Sequence, residues 1–252
     1  MSDFDRNIAA RGSYGAGTAA VVDAGLRAYM IRVYNYMAAG VALTGVTAWL
    51  TFNAAVTADA SGKLALTSFG QALYSGPVAI IMFLGTLGLV FFLSFRVDKL
   101  QPATAFTLFM VYSALLGVML SSVFLTYTGA SVTRTFFISA ASFGALSLYG
   151  YTTQRDLSAM GSFLIMGLFG IILASLVNIF LKSSGLEFVI SAGGVLIFAG
   201  LTAYDTQRIK EMYDVQDDGS VAGRKAVMGA LALYLDFINL FLFLLRFMGD
   251  RR

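Results

Sequence analysis

Two aspartates stand where a carboxylate is costly. Asp205, in FAGLTAYDTQRIK, falls in the last turns of one apolar segment, and Asp236, in GALALYLDFINLFLFLLRF, falls near the middle of the next. Asp236 lies about 10 residues, or about 15 Å of helix, from the start of its segment. A carboxylate at mid-bilayer costs a few kcal/mol and marks a functional site by default. With Leu, Tyr, Phe and Ile around it, Asp236 must face inward and find a partner there. Segments joined by a short link are usually neighbours, which makes Asp205 the natural partner. Two carboxylates within hydrogen-bonding range in a low-dielectric site cannot both stay ionised; they share a proton and titrate as a pair. Such a pair is a pH sensor. If both helices start at the interface the two depths do not match, so the sixth segment must extend past the membrane or tilt.

Other polar residues could support the pair. Arg96, at the end of the second segment, could lock the deprotonated state by pairing with an aspartate, or serve only as a positive-inside anchor. Tyr204 precedes Asp205 directly. Asn178 in the fifth segment and Asn239, one turn after Asp236, could supply amide oxygens or helix–helix hydrogen bonds. The remaining acids lie in tails or loops, where a solvated charge is the ordinary reading.

The composition limits the alternatives. The 252 residues contain no Cys and no His, which removes thiolate nucleophiles, Ser-His-Asp catalysis, haem ligation by His and zinc sites with N or S ligands. A metal site would have to be built from oxygen, which favours calcium or magnesium. Only 12% of residues are charged, about half the roughly 25% of a soluble domain. With 58% hydrophobic residues and a mean hydropathy of +0.78, the chain cannot coat a water-facing globule. The formal charge of +3 is too slight to argue for nucleic acid as a partner.

Seven apolar segments follow, at about 29–52, 77–95, 103–127, 134–153, 160–181, 187–208 and 226–248. Each is near the roughly 20 residues a helix needs to cross the hydrocarbon. Residues 1–27 read as a flexible tail without the marks of a secretory or mitochondrial leader, and residues 28–252 as one all-α transmembrane bundle in contact with the lipid bilayer. Basic residues set the orientation. Arg6, Arg11, Arg27, Arg32, Arg96, Lys99, Arg155, Arg208, Lys210, Arg224 and Lys225 fall on one side, against Lys63, Arg134 and Lys182 on the other. That bias puts the N-terminus in the cytoplasm. At the chain's end, Arg246, Arg251 and Arg252 favour the cytoplasm too and oppose full crossing of the last segment. One internal echo is visible: YTTQRD at 151–156 and YDTQRI at 204–209 agree at four of six positions. Thr152 stands where Asp205 stands, so a helix end of this kind needs no carboxylate.

In GLTAYDTQRIK (200–210), LALYLDFINLFLFLLRF (231–247), SLYGYTTQRDLS (147–158) and ASLVNIFLKS (174–183), the chain resembles the Bax inhibitor-1 family, the transmembrane Bax-inhibitor-motif proteins, and in particular its bacterial YccA-like members. The likeness spans nearly all seven segments. It implies a seven-helix fold with the last helix central, and a pH-dependent calcium leak in a bacterial inner membrane controlled by paired aspartates. By motif these fall on Asp205 and Asp236, which would also be the weak, transient ligands of calcium and the receivers of protons. Arg96 matches the family's second-helix arginine loosely. An acid that some relatives carry within the second helix is absent here, since 77–95 contain none.

The expected function is therefore a pH-gated cation leak, without catalytic residues and without a resident cofactor. Calcium enters only as the transported ion. A second reading, suggested by some bacterial relatives, is a non-transporting regulator that restrains a membrane-bound protease or another stress-response partner. A remote third is an intramembrane aspartyl protease, whose carboxylates activate water by sharing a proton. The glycines and the Pro-Ala-Leu of that motif have no counterpart around Asp236.

Overall fold

A computed structural model describes the backbone of residues 3–58 and 64–252, with side chains from Asp23 onward. The chain is almost wholly helical. Its elements are α1 (Asp3–Ala55), a hairpin of β1 (Val56–Ala58) and β2 (Leu64–Leu66), α2 (Ser68–Leu73), α3 (Gly76–Arg96), a 3-10 turn (Val97–Lys99), α4 (Pro102–Leu120), α5 (Val123–Thr126), α6 (Gly129–Thr152), α7 (Ser158–Leu181), α8 (Ser184–Glu211) and α9 (Gly219–Met248). The hairpin is antiparallel, with Val56 opposite Leu66. Helix α1 extends N-terminally to Asp3, through the stretch read as a flexible tail. The side chains of that stretch before Asp23 lie outside the described residues, as does Lys63.

Local chemistry sets the helix ends. Both prolines open helices, Pro77 in the first turn of α3 and Pro102 at the start of α4, where a missing N–H costs nothing. The Asp218 carboxylate accepts from the N–H groups of Ser220 and Val221 at 2.8 and 2.7 Å and caps α9. Thr128 caps α6 in the same way through Ser131 N–H. Helix α7 ends in a left-handed Lys182, φ 49°.

Six helices among the described residues are long and apolar enough to cross a membrane: α1, α3, α4, α7, α8 and α9, some with their flanking turns. The chain is an integral membrane protein. The fourth segment of the sequence reading is α6, which has the length, at 24 residues, but not the apolarity. Thr133, Arg134, Thr135, Ser139, Ser142 and Ser147 dilute it, and Thr135, Ser139 and Ser147 are buried rather than turned outward.

Burial is unequal across the bundle. Of the apolar stretch of α9, 61% is buried, against 6% for α7. Helix α9 packs on α1, α4, α6 and α8, while α7 leans on α8 and α3 on α4. Its N-terminal part overshoots the link to α8: Gly229 packs against Ile209, so Gly219–Met228 precede the level of that contact. Beyond that contact α9 continues for ten residues, to Gly219, and α8 for two, to Glu211.

Helix α9 runs unbroken to Met248, and the residues after it are tied down at the far end of the bundle from the α8–α9 link. Arg251 pairs with Glu187 at 2.5 Å, and Arg134 with Asp250 at 2.9 Å. The backbones of Thr128 and Asp250 are hydrogen-bonded, as are those of Arg252 and Thr126. Two of the three terminal arginines find side-chain acceptors on that face: Glu187 for Arg251, and the Tyr127 carbonyl for Arg252.

Candidate functional site

The carboxyl groups of Asp205 and Asp236 are neighbours between α8 and α9, each within the other's electrostatic reach. Asp236 is 4% exposed and Asp205 half-buried. Ionised carboxylates only accept hydrogen bonds. A proton held between two such groups would let them bond rather than repel. Asp236 Oδ2 is buried without a hydrogen-bond partner among the described residues, so little else relieves the pair. The positive charge acting on Asp205 is Arg208, exposed on the next turn of α8.

Arg96 does not take that part. It ends α3 and is exposed. Tyr204 points away from the pair, its ring lying over Gly161 of α7 so closely that a Cβ there would come within 2.4 Å of it. Asn178 Oδ1 accepts from Ser183 N–H at 3.0 Å and serves the end of α7. Asn239 Nδ2 donates to Leu235 O at 2.8 Å on its own helix. These residues shape helix ends and packing around the pair. No group of three or more carboxylates that could hold a metal ion occurs among the described residues. The pair alone falls short of the six to eight oxygens that calcium takes.

Two hydroxyl chains brace the helices carrying the aspartates. On α9, the Tyr234 hydroxyl lies 2.6 Å from Thr44 Oγ1, which in turn reaches Ser113 O at 2.8 Å and Gly40 O at 2.9 Å. Tyr234 is fully buried, edge-on to Phe109 and Tyr112. On α8, Thr206 Oγ1 lies 2.9 Å from Ser147 Oγ, which bonds the Tyr34 hydroxyl. The first chain ties α9 to α1 and α4, and the second ties α8 to α6 and α1. Neither was visible in the sequence, because single hydroxyls within apolar segments leave no periodic signal.

The echo motif has a job of its own. Gln207 Oε1 accepts from Leu157 N–H, and its Nε2 donates to Arg155 O, both at 2.8 Å. Lys210 Nζ donates to Tyr151 O at 3.0 Å and lies over the Tyr151 ring. The end of α8 thereby clamps the α6–α7 link. In that link the Asp156 carboxylate accepts from Ser158 N–H at 2.8 Å, and this bonding to Ser158 holds it below the usual carboxylate range. Its contribution is present at neutral pH and is lost as pH falls through the lowered value; full exposure keeps it small. Gln207→Ala would leave the buried Leu157 N–H unpaired, at a cost of about 1–3 kcal/mol. Trypsin should then cut after the exposed Arg155 faster than in the unaltered protein, and an unchanged rate would show that the link is held by other contacts.

A helical membrane bundle with two facing aspartates on its last two helices is the class these observations define. The chain belongs to the Bax inhibitor-1 family: the family model described as inhibitor of apoptosis-promoting Bax1 matches residues 26–252. It is 49% identical over 230 residues to the protein RP147 of Rickettsia prowazekii, covering 91% of this chain and 92% of that one. It is 47% identical over 232 residues to the inner membrane protein YbhL of Escherichia coli K12, covering 91% and 94%. A protein of Caulobacter vibrioides is 44% identical over 254 residues, the full length of both chains.

Proposed function

We propose that this chain is a pH-sensitive calcium leak of the bacterial inner membrane, gated by the Asp205–Asp236 pair. The observation that carries the reading is the meeting of two carboxyls in the bundle interior, on the helix with the greatest burial and its neighbour. A shared proton holds α8 and α9 together. Protonation of both groups, or loss of the shared proton, replaces that bond with a weaker contact or with repulsion, and ions pass along α9. Calcium passes without a resident site, and no cofactor or catalytic step is invoked. The test is calcium entry into vesicles reconstituted with the protein, read by an enclosed indicator between about pH 5 and about pH 8. No flux above empty vesicles, with the protein folded, would transfer the assignment to a regulatory role on a membrane-bound protease or other partner.

The same reading makes α6 a seventh crossing, with α9 at the centre and the N-terminus in the cytoplasm. Its 24 residues span roughly 36 Å. Its two ends serve opposite faces, one beside the C-terminal residues and one beside the α8 clamp. The chain has no cysteine, so single replacements report sidedness. Arg252→Cys should react with an impermeant maleimide supplied from the periplasm, and Asp98→Cys only after the membrane is opened. The reverse pattern would invert the orientation.

A further inference from the structure

Helices α1 and α6 both pack on α9, yet between their described residues there is almost no direct packing. The seam between them is bridged by a side-chain bond, Tyr34 to Ser147. Around that bond lies a cavity of about 460 Å³, lined by Arg27, Ile31 and Tyr34 of α1 and by Phe143, Gly144 and Leu148 of α6. Ile31 is 49% and Leu148 63% exposed. With α6 as the seventh crossing, the reading proposed above, such faces meet hydrocarbon, so the mouth of the cavity opens to acyl chains and not to water.

The rim toward the N-terminal end of α1 is basic. Arg27 is exposed there. Lys210 is held at the same rim by Tyr151, which also lines the cavity. An apolar slot open to lipid with cations at one end matches a molecule with a hydrocarbon chain and a phosphate. Basic pockets between membrane helices bind anionic head groups, and a guanidinium suits phosphate by its paired N–H donors.

We propose that the α1–α6 seam is a binding site for an anionic phospholipid, with an acyl chain in the cavity and the phosphate on Arg27. The lipid fills the space that the two helices leave open and touches the Tyr34–Ser147–Thr206 chain that braces α8. Its occupancy is a property of the seam and does not depend on ion passage, so it can fail or stand apart from the leak reading.

Gly144 supplies a clean probe, because a Cβ built there meets nothing within 4 Å. Gly144→Leu therefore starts from an unobstructed Cβ at a position that lines the slot. The experiment compares lipids retained on the full chain released from nanodiscs of mixed phosphatidylglycerol and phosphatidylcholine, read by native mass spectrometry. The unaltered protein should retain phosphatidylglycerol preferentially. Arg27→Gln should lower that preference roughly fivefold, the equivalent of about 1 kcal/mol for one cation near an anionic surface, and Arg27→Lys should largely restore it. Gly144→Leu should lower retention of both lipids, whereas Gly170→Leu, at another glycine with open space, should not. Equal retention of the two lipids by the unaltered protein would overturn the proposal. So would a preference untouched by Arg27→Gln, or retention untouched by Gly144→Leu. Thermal unfolding of each variant shows that the protein remains folded.

Discussion

Asp236→Asn should flatten the pH dependence of calcium entry, leaving a flux that varies little across the range where the unaltered protein changes roughly tenfold. The two residues have nearly the same shape, so packing on α9 is kept. What changes is the proton. An amide at 236 donates permanently to Asp205 and reproduces the bonded state without titrating. Asp205→Asn should have the same consequence from the other side, with Asp236 left facing an amide in the apolar interior. Because the residues act as a unit, the double variant should resemble either single variant instead of summing their effects. A one-unit displacement of an apparent pKa is a tenfold change in proton affinity, which vesicle flux can read easily. Arg96→Gln provides the contrast: that side chain is exposed at the end of α3, and its removal should leave the pH profile in place. If both asparagine variants kept the profile and amplitude of the unaltered protein, the paired aspartates would not be the gate.

The aspartates were legible in the sequence because charge is rare in this chain and costly where they stand. A single carboxylate among Leu, Tyr, Phe and Ile has few explanations, and the short link between segments names its partner. The bracing residues carry no such cost signal. Thr44, Ser113, Ser147 and Thr206 are common in apolar helices, and only the packing of α1, α4 and α6 around α8 and α9 reveals that they bond across helices. Arg96 was a reasonable third member from its place at a helix end, but the cation whose charge acts on Asp205 is Arg208, one turn along the same helix. The relative reach of α8 and α9 was not visible. Nothing in the composition of 209–225 says which of the two helices continues beyond the other. The side-chain contacts of the terminal arginines depended likewise on acceptors distant in sequence, Glu187 and the Tyr127 carbonyl.

Gly150→Ala should be among the most damaging single-methyl changes in the chain. Helix α6 crosses α8 so closely at this point that a Cβ on Gly150 would stand 2.2 Å from the backbone oxygen of Ala203. Backbone cannot swing aside as a flexible side chain can, so the two helices must part. Overpacking of this kind costs about 1–3 kcal/mol, which in a chain of this size corresponds to roughly 2–12 °C in Tm if unfolding is cooperative. The damage also reaches the site. Ser147 lies one turn before Gly150 and Thr206 one turn after Ala203, so separating the helices stretches the 2.9 Å bond between them and frees the face of α8 that presents Asp205. A lowered Tm should therefore come with an altered pH response of calcium entry. Gly144→Ala, on the same helix, is the control: its new methyl meets nothing within 4 Å and is too small to fill the seam, so both stability and pH response should hold. Gly150→Ala matching the unaltered protein in both measurements would mean that the α6–α8 crossing is loose, and that the hydroxyl chain does not transmit the position of Asp205 to the rest of the bundle.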